Sequence, residues 1–176
     1  MEARDKMHTA STIAGMAFAN AFLGITHSIA HKLGGQFGIT HGIAIAITLP
    51  HVIRYNFEKP KKIATWPKYE SFRADQDYAE IARYLGLPGS TNEELKEALV
   101  HKFIELAHSV GVTLSLKAQG VNKADLEAAA THLAELAYSD QCTTANPKEP
   151  LFADLKKMIL EEYDGVGVET ETDKEV

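Results

Sequence analysis

The sequence has a single cysteine, Cys142, so no disulfide can form within the chain. Its first six residues, Met-Glu-Ala-Arg-Asp-Lys, lack the basic and apolar segments of a secretory signal peptide. Lysine and arginine do not cluster densely enough to follow a phosphate backbone. These absences predict a cytoplasmic protein in a reducing environment, with no nucleic-acid partner.

Charge is also absent from residues 9–26, a stretch that approaches the length of a transmembrane helix. Five polar side chains make this stretch a poor membrane span. They are Thr9, Ser11, Thr12, Asn20 and Thr26. We therefore expect no membrane association and interpret the stretch as a helix buried within protein.

The formal net charge of −6 resides in the C-terminal region. Residues 161–176 contain seven carboxylates and one lysine, and the remainder of the chain is close to neutral. A chain of 176 residues is long enough for one well-packed core. We predict one metal-binding helical domain over residues 1–164 and an acidic, disordered tail over residues 165–176.

Apolar residues recur with helical spacing, and no stretch shows convincing strand alternation. Residues 7–33 carry apolar or small side chains on nearly every face, which predicts one long buried helix that stops at Gly34–Gly35. Thr40 is suited to cap a second apolar helix that begins at His41 and bends at Pro50. The pattern predicts an all-α fold with about six or more helices.

Further helix starts are predicted downstream of a proline-containing surface loop over residues 56–74. Their capping or opening residues are Asp75, Ser90 with Glu93, Asn122 with Asp125, and Pro147 or Pro150. Apolar spacing assigns an inward face to each of these four helices. The inward residues are Tyr78, Ile81, Ala82 and Leu85, then Leu95, Leu99, Phe103, Leu106 and Val110, then Leu126, Ala129, Leu133 and Leu136, and finally Leu151, Leu155, Met158 and Ile159.

The start of the chain leads directly into the first apolar helix. Residues 2–6 contain no capping residue, as though a longer helix had been cut. We therefore expect the chain to be part of a larger protein.

Three histidines lie within fifteen residues in the most apolar part of the chain. His27 and His31 are four residues apart, so on a helix they share one face. His41 lies at a predicted helix start, where the helix dipole favours the neutral imidazole that binds metals. No Asp or Glu occurs between Asp5 and Glu58, so a complete metal site needs ligands from elsewhere.

Spacing alone leaves two interpretations of these histidines open. A helical histidine pair in an apolar stretch more commonly serves packing and hydrogen bonding than metal binding. The pair is not a zincin motif, because Ser28 occupies the position of the general-base glutamate. The other five histidines cluster with no other donor, and we interpret them as structural or exposed.

The run from His27 to Gly42 closely resembles the metal-binding segment of the iron-dependent (group III) alcohol dehydrogenases. The stretches 14–21 and 140–147 are similar to the flanking helix and late turn of that family. The loop over residues 67–79 is similar to the alcohol dehydrogenase part of bifunctional aldehyde-alcohol dehydrogenases. The resemblance covers nearly the whole chain.

This resemblance implies the C-terminal, all-helical half of a two-domain enzyme whose other half is an α/β nucleotide-binding domain. It implies that His27 and His41 are metal ligands, and that His31 lies beside the nicotinamide and handles protons. Fe²⁺ is the implied metal, with Zn²⁺ as an alternative, and NAD(H) is the implied cofactor. The missing N-terminal half supplies the remaining ligands, and the substrates are a small alcohol and aldehyde.

Three hypotheses follow from the resemblance. In the first, the chain is a fragment of this enzyme, inactive alone. In the second, it is a helical interaction or regulatory module that retains the fold without catalysis. In the third, two chains bring His27 and His41 to one metal ion. Because truncation uncovers apolar surface, we also expect a homo-oligomer or an aggregation-prone monomer.

Overall fold

The computed structural model describes residues 1–60 and 71–166, and these residues form helices connected by turns. No strand occurs among them, which confirms the predicted all-α fold class. Two short 3₁₀ turns, Lys117–Gln119 and Gln141–Ala145, flank the sixth α-helix. The α-helices are α1 (Glu2–Ala21), α2 (Ile25–Phe37), α3 (His41–Phe57), α4 (Ala74–Tyr84), α5 (Asn92–Ser109), α6 (Lys123–Tyr138) and α7 (Phe152–Glu161).

The prediction of one long buried helix over residues 7–33 is wrong. The chain breaks between α1 and α2, and the two helix axes differ in direction by 109°. Phe22 at the break has a φ of 65°, a region that non-glycine residues rarely adopt. Helix α1 contains no buried residue, whereas α2 buries five. Burial therefore begins at Ile25.

The predicted stop at Gly34–Gly35 is also wrong, because α2 continues to Phe37. The helix ends at Gly38, whose φ of 69° gives the left-handed conformation that commonly terminates helices. Thr40 precedes α3 as predicted, but its side chain makes no capping hydrogen bond. Pro50 lies inside α3, which remains helical to Phe57.

The main hydrophobic core lies between α2, α3, α6 and α7. Ile29 and Leu33 of α2, together with Ile47 of α3, are fully buried in it. Leu133 of α6 and Leu155 of α7 complete its centre. A second cluster joins α3 to α5, and a third joins α4 to α5. Helix α3 therefore contributes to the main core and to the second cluster, and its first residue is His41.

The predicted inward faces of α4 and α5 are only partly correct. Ile81 and Leu85, predicted to face inward, are 48% and 54% exposed. In α4 the buried residues are Ala74, Ala79 and Ala82, whose small side chains allow α5 to approach closely. In α5 the buried residues are Leu95, Lys96, Val100, Ile104 and Ala107, while Leu106 and Val110 are exposed.

The faces of α6 and α7 follow the prediction more closely. Leu126 and Leu133 in α6 are buried as expected, and so are Leu155, Met158 and Ile159 in α7. Leu136 and Leu151, also predicted inward, are 41% and 66% exposed.

The predicted helix caps fall into three groups. Asn122 is confirmed, since its side-chain oxygen accepts hydrogen bonds from the backbone N–H groups of Ala124 and Asp125. The capping box of α5 is one residue later than predicted and consists of Thr91 and Glu94. Asp75 does not cap α4, which begins one residue before it. Residues 167–176 of the tail predicted over 165–176, and most of the loop predicted over 56–74, lie outside the described residues.

By itself, no helix in the described part of the chain is both long and apolar enough to cross a membrane. The bent pair of α1 and α2 meets the criteria of length and composition when taken together.

Candidate metal centre

The three histidines singled out from the sequence meet in space. His27 and His31 lie one turn apart on α2, and His41 begins α3 after the tight connection at residues 38–40. The ring centroids are 5.9 Å apart for His27 and His31. The corresponding distances are 5.5 Å for His27 and His41, and 5.4 Å for His31 and His41. The fold therefore produces a compact imidazole cluster.

The cluster lies at the edge of the core, with His27 half-buried and the other two histidines exposed. Burial lowers the pKa of His27, and the nearby His41 and His31 lower it further. A neutral imidazole has a free nitrogen lone pair, which metal binding requires. The environment of His27 therefore favours the protonation state of a ligand.

The geometry of His27 and His41 fits a shared metal ion. Two imidazoles that bind one ion through nitrogens at about 2.0–2.1 Å, at a tetrahedral angle, have ring centres roughly 5 Å apart. The two ring centroids are 5.5 Å apart, close to that spacing, and the rings are tilted by 51°. His31 instead stacks on His41 with an interplanar angle of 21°, which is less suited to convergence. Imidazole nitrogens suit both iron and zinc.

A carboxylate that the sequence did not predict lies beside this cluster. Asp140 Oδ2 is 3.5 Å from His31 Nδ1 and 2.7 Å from Lys32 Nζ. Its Oδ1 accepts a hydrogen bond of 2.9 Å from the Cys142 backbone N–H. Burial favours the protonated acid, but hydrogen bonds from Lys32 and Cys142 outweigh it and lower the pKa of Asp140 to about 2. Asp140 is therefore ionised at neutral pH.

A second group of possible ligands shares His31. Donor atoms of His31, Asp140 and Cys142 all lie within 4.8 Å of one another. Burial, followed by the neighbouring Asp140, raises the pKa of the Cys142 thiol to about 11. The thiolate needed for metal binding is thus disfavoured, and Lys32 already neutralises Asp140. Both features weigh against metal binding by this group.

The segment of residues 140–146 runs along α2 and fixes it at three points. Asn146 Oδ1 accepts a hydrogen bond from Ile25 N at the start of α2. Thr143 Oγ1 and Ser28 Oγ share a buried hydrogen bond of 2.7 Å in the middle of the helix. Lys32 pairs with Asp140 one turn later. The 140–146 segment therefore holds one side of the helix that carries His27 and His31.

Gly24 makes the first of these contacts possible. A Cβ atom at this position would meet Asn146 Oδ1 at 2.9 Å, which is too close for an ordinary contact. Asn146 also pairs with Asn56 of α3 in a buried amide pair. One buried asparagine thereby links the 140–146 segment to both histidine-bearing helices.

Sequence reasoning placed the histidines together but gave Asp140 and Lys32 no role. The absence of acids between Asp5 and Glu58 indicated that no carboxylate was near in sequence, whereas the fold brings Asp140 from 109 positions beyond His31. The only sequence signal for this residue was the resemblance of stretch 140–147 to the late turn of a known family. Among the remaining histidines, His51 is half-buried with an unpartnered Nε2 atom. His8, His101, His108 and His132 are exposed.

Comparison with known proteins gives a consistent result. A family model described as Fe-containing alcohol dehydrogenase family, C-terminal, matches residues 1–163. The chain is 51% identical over 162 residues to an aldehyde-alcohol dehydrogenase of Streptococcus pneumoniae strain D39, covering 92% of the chain and 18% of that protein. It is 46% identical over 166 residues to the bifunctional aldehyde-alcohol dehydrogenase of Escherichia coli strain K12, covering 93% and 19%.

Solved structures agree with the sequence relatives. A 1,3-propanediol oxidoreductase superposes with a TM-score of 0.77 at 30% identity, covering 92% of this chain and 38% of that chain. An alcohol dehydrogenase from Oenococcus oeni gives a TM-score of 0.76 at 32% identity, with the same coverage. The chain spans about a fifth of the length of the curated relatives named above.

Proposed function

We propose, since the chain belongs to the iron-containing alcohol dehydrogenase family and matches its C-terminal part, that it supplies the helical half of an NAD-linked alcohol dehydrogenase. The complete enzyme interconverts an aldehyde and a primary alcohol. The observation that carries this proposal is the convergence of His27 and His41 at a ring separation of 5.5 Å. That spacing suits shared metal binding and brings together residues from two helices.

His27 and His41 are the proposed metal ligands, with Fe²⁺ as the metal and Zn²⁺ as the alternative. Two imidazoles are an incomplete set for either ion, so the remaining ligands come from the preceding half of the enzyme. When bound, the metal supplies Lewis-acid chemistry that polarises the substrate oxygen. The lowered pKa of His27 keeps this residue neutral and ready to bind.

His31 is the proposed proton-handling residue and lies beside the nicotinamide in the complete enzyme. Its side chain is exposed at the edge of the cluster, so it can exchange protons with solvent. Hydride transfer itself belongs to the nicotinamide, and the protein's task is to orient the reacting groups. His31 is therefore a proton carrier rather than a third metal ligand.

The nucleotide-binding half is the essential partner in this proposal. The described residues form only helices, and the family resemblance assigns nucleotide binding to the preceding α/β domain. We therefore propose that the isolated chain turns over neither aldehyde nor alcohol.

Reconstitution tests the proposal. The chain is mixed with a separately produced nucleotide-binding half of a family member and with Fe²⁺, and NADH oxidation is measured with acetaldehyde. Activity is expected only in the mixture, and His27→Ala or His41→Ala should abolish it. His108→Ala, which changes an exposed histidine of α5, is the matched control and should retain activity. Unchanged activity in both ligand variants would contradict the proposal.

The exposed helix α1 supports a second candidate, a helical interaction module without catalysis. Its large apolar side chains project from the rest of the chain, with Ile13 60% and Met16 65% exposed. Such surface is characteristic of an interface. This candidate predicts a defined complex with the preceding half that forms without metal and shows no NADH turnover. Metal-dependent turnover in the mixture would exclude it.

A further inference from the structure

Asp140 places an ionised carboxylate beside the proposed proton carrier, His31. Its carboxylate is held from three sides, by the Cys142 backbone N–H at 2.9 Å, by Lys32 Nζ at 2.7 Å and by His31 Nδ1 at 3.5 Å. The side chain of Asp140 is only 10% exposed, so water competes little for these contacts. A carboxylate fixed in this way can fix a neighbouring imidazole.

We propose that Asp140 is a positioning residue for His31. The carboxylate faces the Nδ1 edge of the ring and favours the tautomer with the proton on Nδ1. The opposite nitrogen, Nε2, then carries the lone pair and is the one that exchanges a proton with substrate. The last step rests on the proposed function, whereas the preference for one tautomer does not.

The arrangement of the 140–146 segment supports this assignment. Its contacts with Ile25, Ser28 and Lys32 lie along three successive turns of α2, so Asp140 belongs to a segment that is held against the helix that carries His31. The distance of 3.5 Å is longer than a strong hydrogen bond. Contacts of this type often shorten when the substrate complex forms. Which imidazole nitrogen carries the proton is generally set by the partner of the other nitrogen.

Lys32 has a distinct role in this arrangement. It donates to the same oxygen that faces His31, and its charge helps to keep the carboxylate ionised. Replacing Lys32 with Met should preserve the carboxylate near His31 and remove only the ion pair. Lys32→Met therefore separates the effect of the ion pair from that of the carboxylate.

NMR of the isolated, metal-free chain tests the proposal directly. Long-range ¹H–¹⁵N correlation spectra of the imidazole nitrogens, recorded where imidazoles are neutral, distinguish the two tautomers. The His31 signals are identified by their loss in His31→Gln. We expect the Nδ1–H form to dominate for His31 in the native chain. A dominant Nε2–H form in the native chain would overturn the proposal even if every variant failed to fold.

The variants sharpen this result. Asp140→Ala should shift His31 toward the Nε2–H form that an unrestrained histidine side chain favours. Lys32→Met should retain the native preference, because the carboxylate and the other two contacts remain, and so should Thr144→Ala, an exposed change on the same segment. Backbone amide spectra establish that each variant is folded. A folded Asp140→Ala variant with the native tautomer would overturn the proposal.

Kinetics of the mixture with the nucleotide-binding half provide the catalytic readout. Asp140→Ala should lower kcat roughly 10- to 100-fold while leaving bound metal per chain unchanged. A parallel loss of metal and activity would contradict a positioning role and indicate a structural one. If even the native mixture is inactive, the proposed function fails, but the NMR result still decides the tautomer.

Discussion

Helices α1 and α2 are neighbours in sequence and share an uncharged stretch, residues 7–31, but their environments are opposite. α1 (Glu2–Ala21) has no buried residue, whereas α2 (Ile25–Phe37) buries five side chains within the main core. Only three residues separate them, at a bend of 109°. An apolar composition therefore does not by itself determine burial, because burial also requires a covering partner.

The partner of α2 is visible in the fold. Helices α3 and α6 cover its apolar face, and the 140–146 segment bonds to its polar side. The equivalent cover for α1 is not supplied by the described residues. The histidine cluster lies on α2 and at the start of α3. The proposed metal ligands are therefore carried by helices whose apolar faces are covered by other helices of the same chain.

The largest expected effect on stability comes from shortening a buried isoleucine of α2 to alanine, and the same substitution in α1 is the comparison. Ile29 of α2 is fully buried and Ile13 of α1 is 60% exposed. Ile29→Ala should lower the free energy of unfolding by about 2–5 kcal/mol, because it removes buried apolar surface and leaves a cavity. Ile13→Ala should change it by less than about 0.5 kcal/mol. Urea denaturation measures both, and equal effects would contradict the contrast between the helices.

A smaller loss of stability is expected when the hydrogen bonds that Asn146 makes to α2 and α3 are removed. Asn146→Ala removes the partner of the buried Asn56 amide and the acceptor of the Ile25 N–H group. A buried amide left unpaired should cost about 1–3 kcal/mol of unfolding free energy. Thr144→Ala, an exposed change in the same segment, is the control and should have little effect. Equal stability of the two variants would show that the segment does not fix α2.

A pH-dependent effect is expected where α7 ends against α3. Glu162 is fully buried with both carboxyl oxygens unpartnered, and burial raises its pKa well above 4.5, with the Thr48 hydroxyl acting in the opposite direction. The folded state therefore holds a proton that the unfolded state releases. The contribution of Glu162 is fully present below pH 4.5. It falls by about 1.4 kcal/mol per pH unit above that value, until the pH reaches the folded-state pKa.

Glu162→Gln should remove this contribution to the pH dependence. Urea denaturation of the native chain and the variant at a series of pH values gives the difference in slope. Glu161→Gln, at the neighbouring exposed carboxylate, is the control and should keep the native slope. An unchanged slope in Glu162→Gln would show that Glu162 is already ionised in the folded state.

Charged substitutions in α1 should have the smallest effect on the free energy of unfolding, but they should clearly reduce self-association. Ile13→Glu combined with Phe18→Glu places charge on the exposed apolar surface of this helix, where these residues are 60% and 48% exposed. We expect these changes to reduce self-association, because apolar contact drives it. Analytical ultracentrifugation measures this. Tyr84→Glu, on a 91% exposed residue of α4, is the control and should not change the association state.

Some helix boundaries and buried faces could be predicted from the sequence, and others could not. The cap at Asn122 depends on local hydrogen bonds, so it was predictable. The start of α3 at His41 was also predicted, although the Thr40 side chain makes no capping hydrogen bond. The break at Phe22 was not, since the apolar pattern continues across it and only the strained φ marks it. The inward faces of α4 and α5 were assigned from large apolar residues, whereas close helix packing selected alanines in α4.

The candidate metal centre shows the same division. The spacing of His27 and His31 predicts a shared helical face, and the fold adds His41 to it. Asp140 was unpredictable from spacing, because its contact with His31 depends on the packing of the 140–146 segment along α2. Local periodicity specifies faces of helices, but the pairing of distant faces depends on the tertiary fold.

The most direct test of the central claim is a Co²⁺ titration of the isolated chain, followed by visible absorption. We predict that His27→Ala and His41→Ala each weaken binding by about tenfold or more, since each removes one of only two ligands. His31→Ala and Cys142→Ser should bind as the native chain does. If His31→Ala or Cys142→Ser abolishes binding while His27→Ala does not, the metal belongs to the group formed by His31, Asp140 and Cys142, and the assignment of His27 and His41 as ligands is wrong.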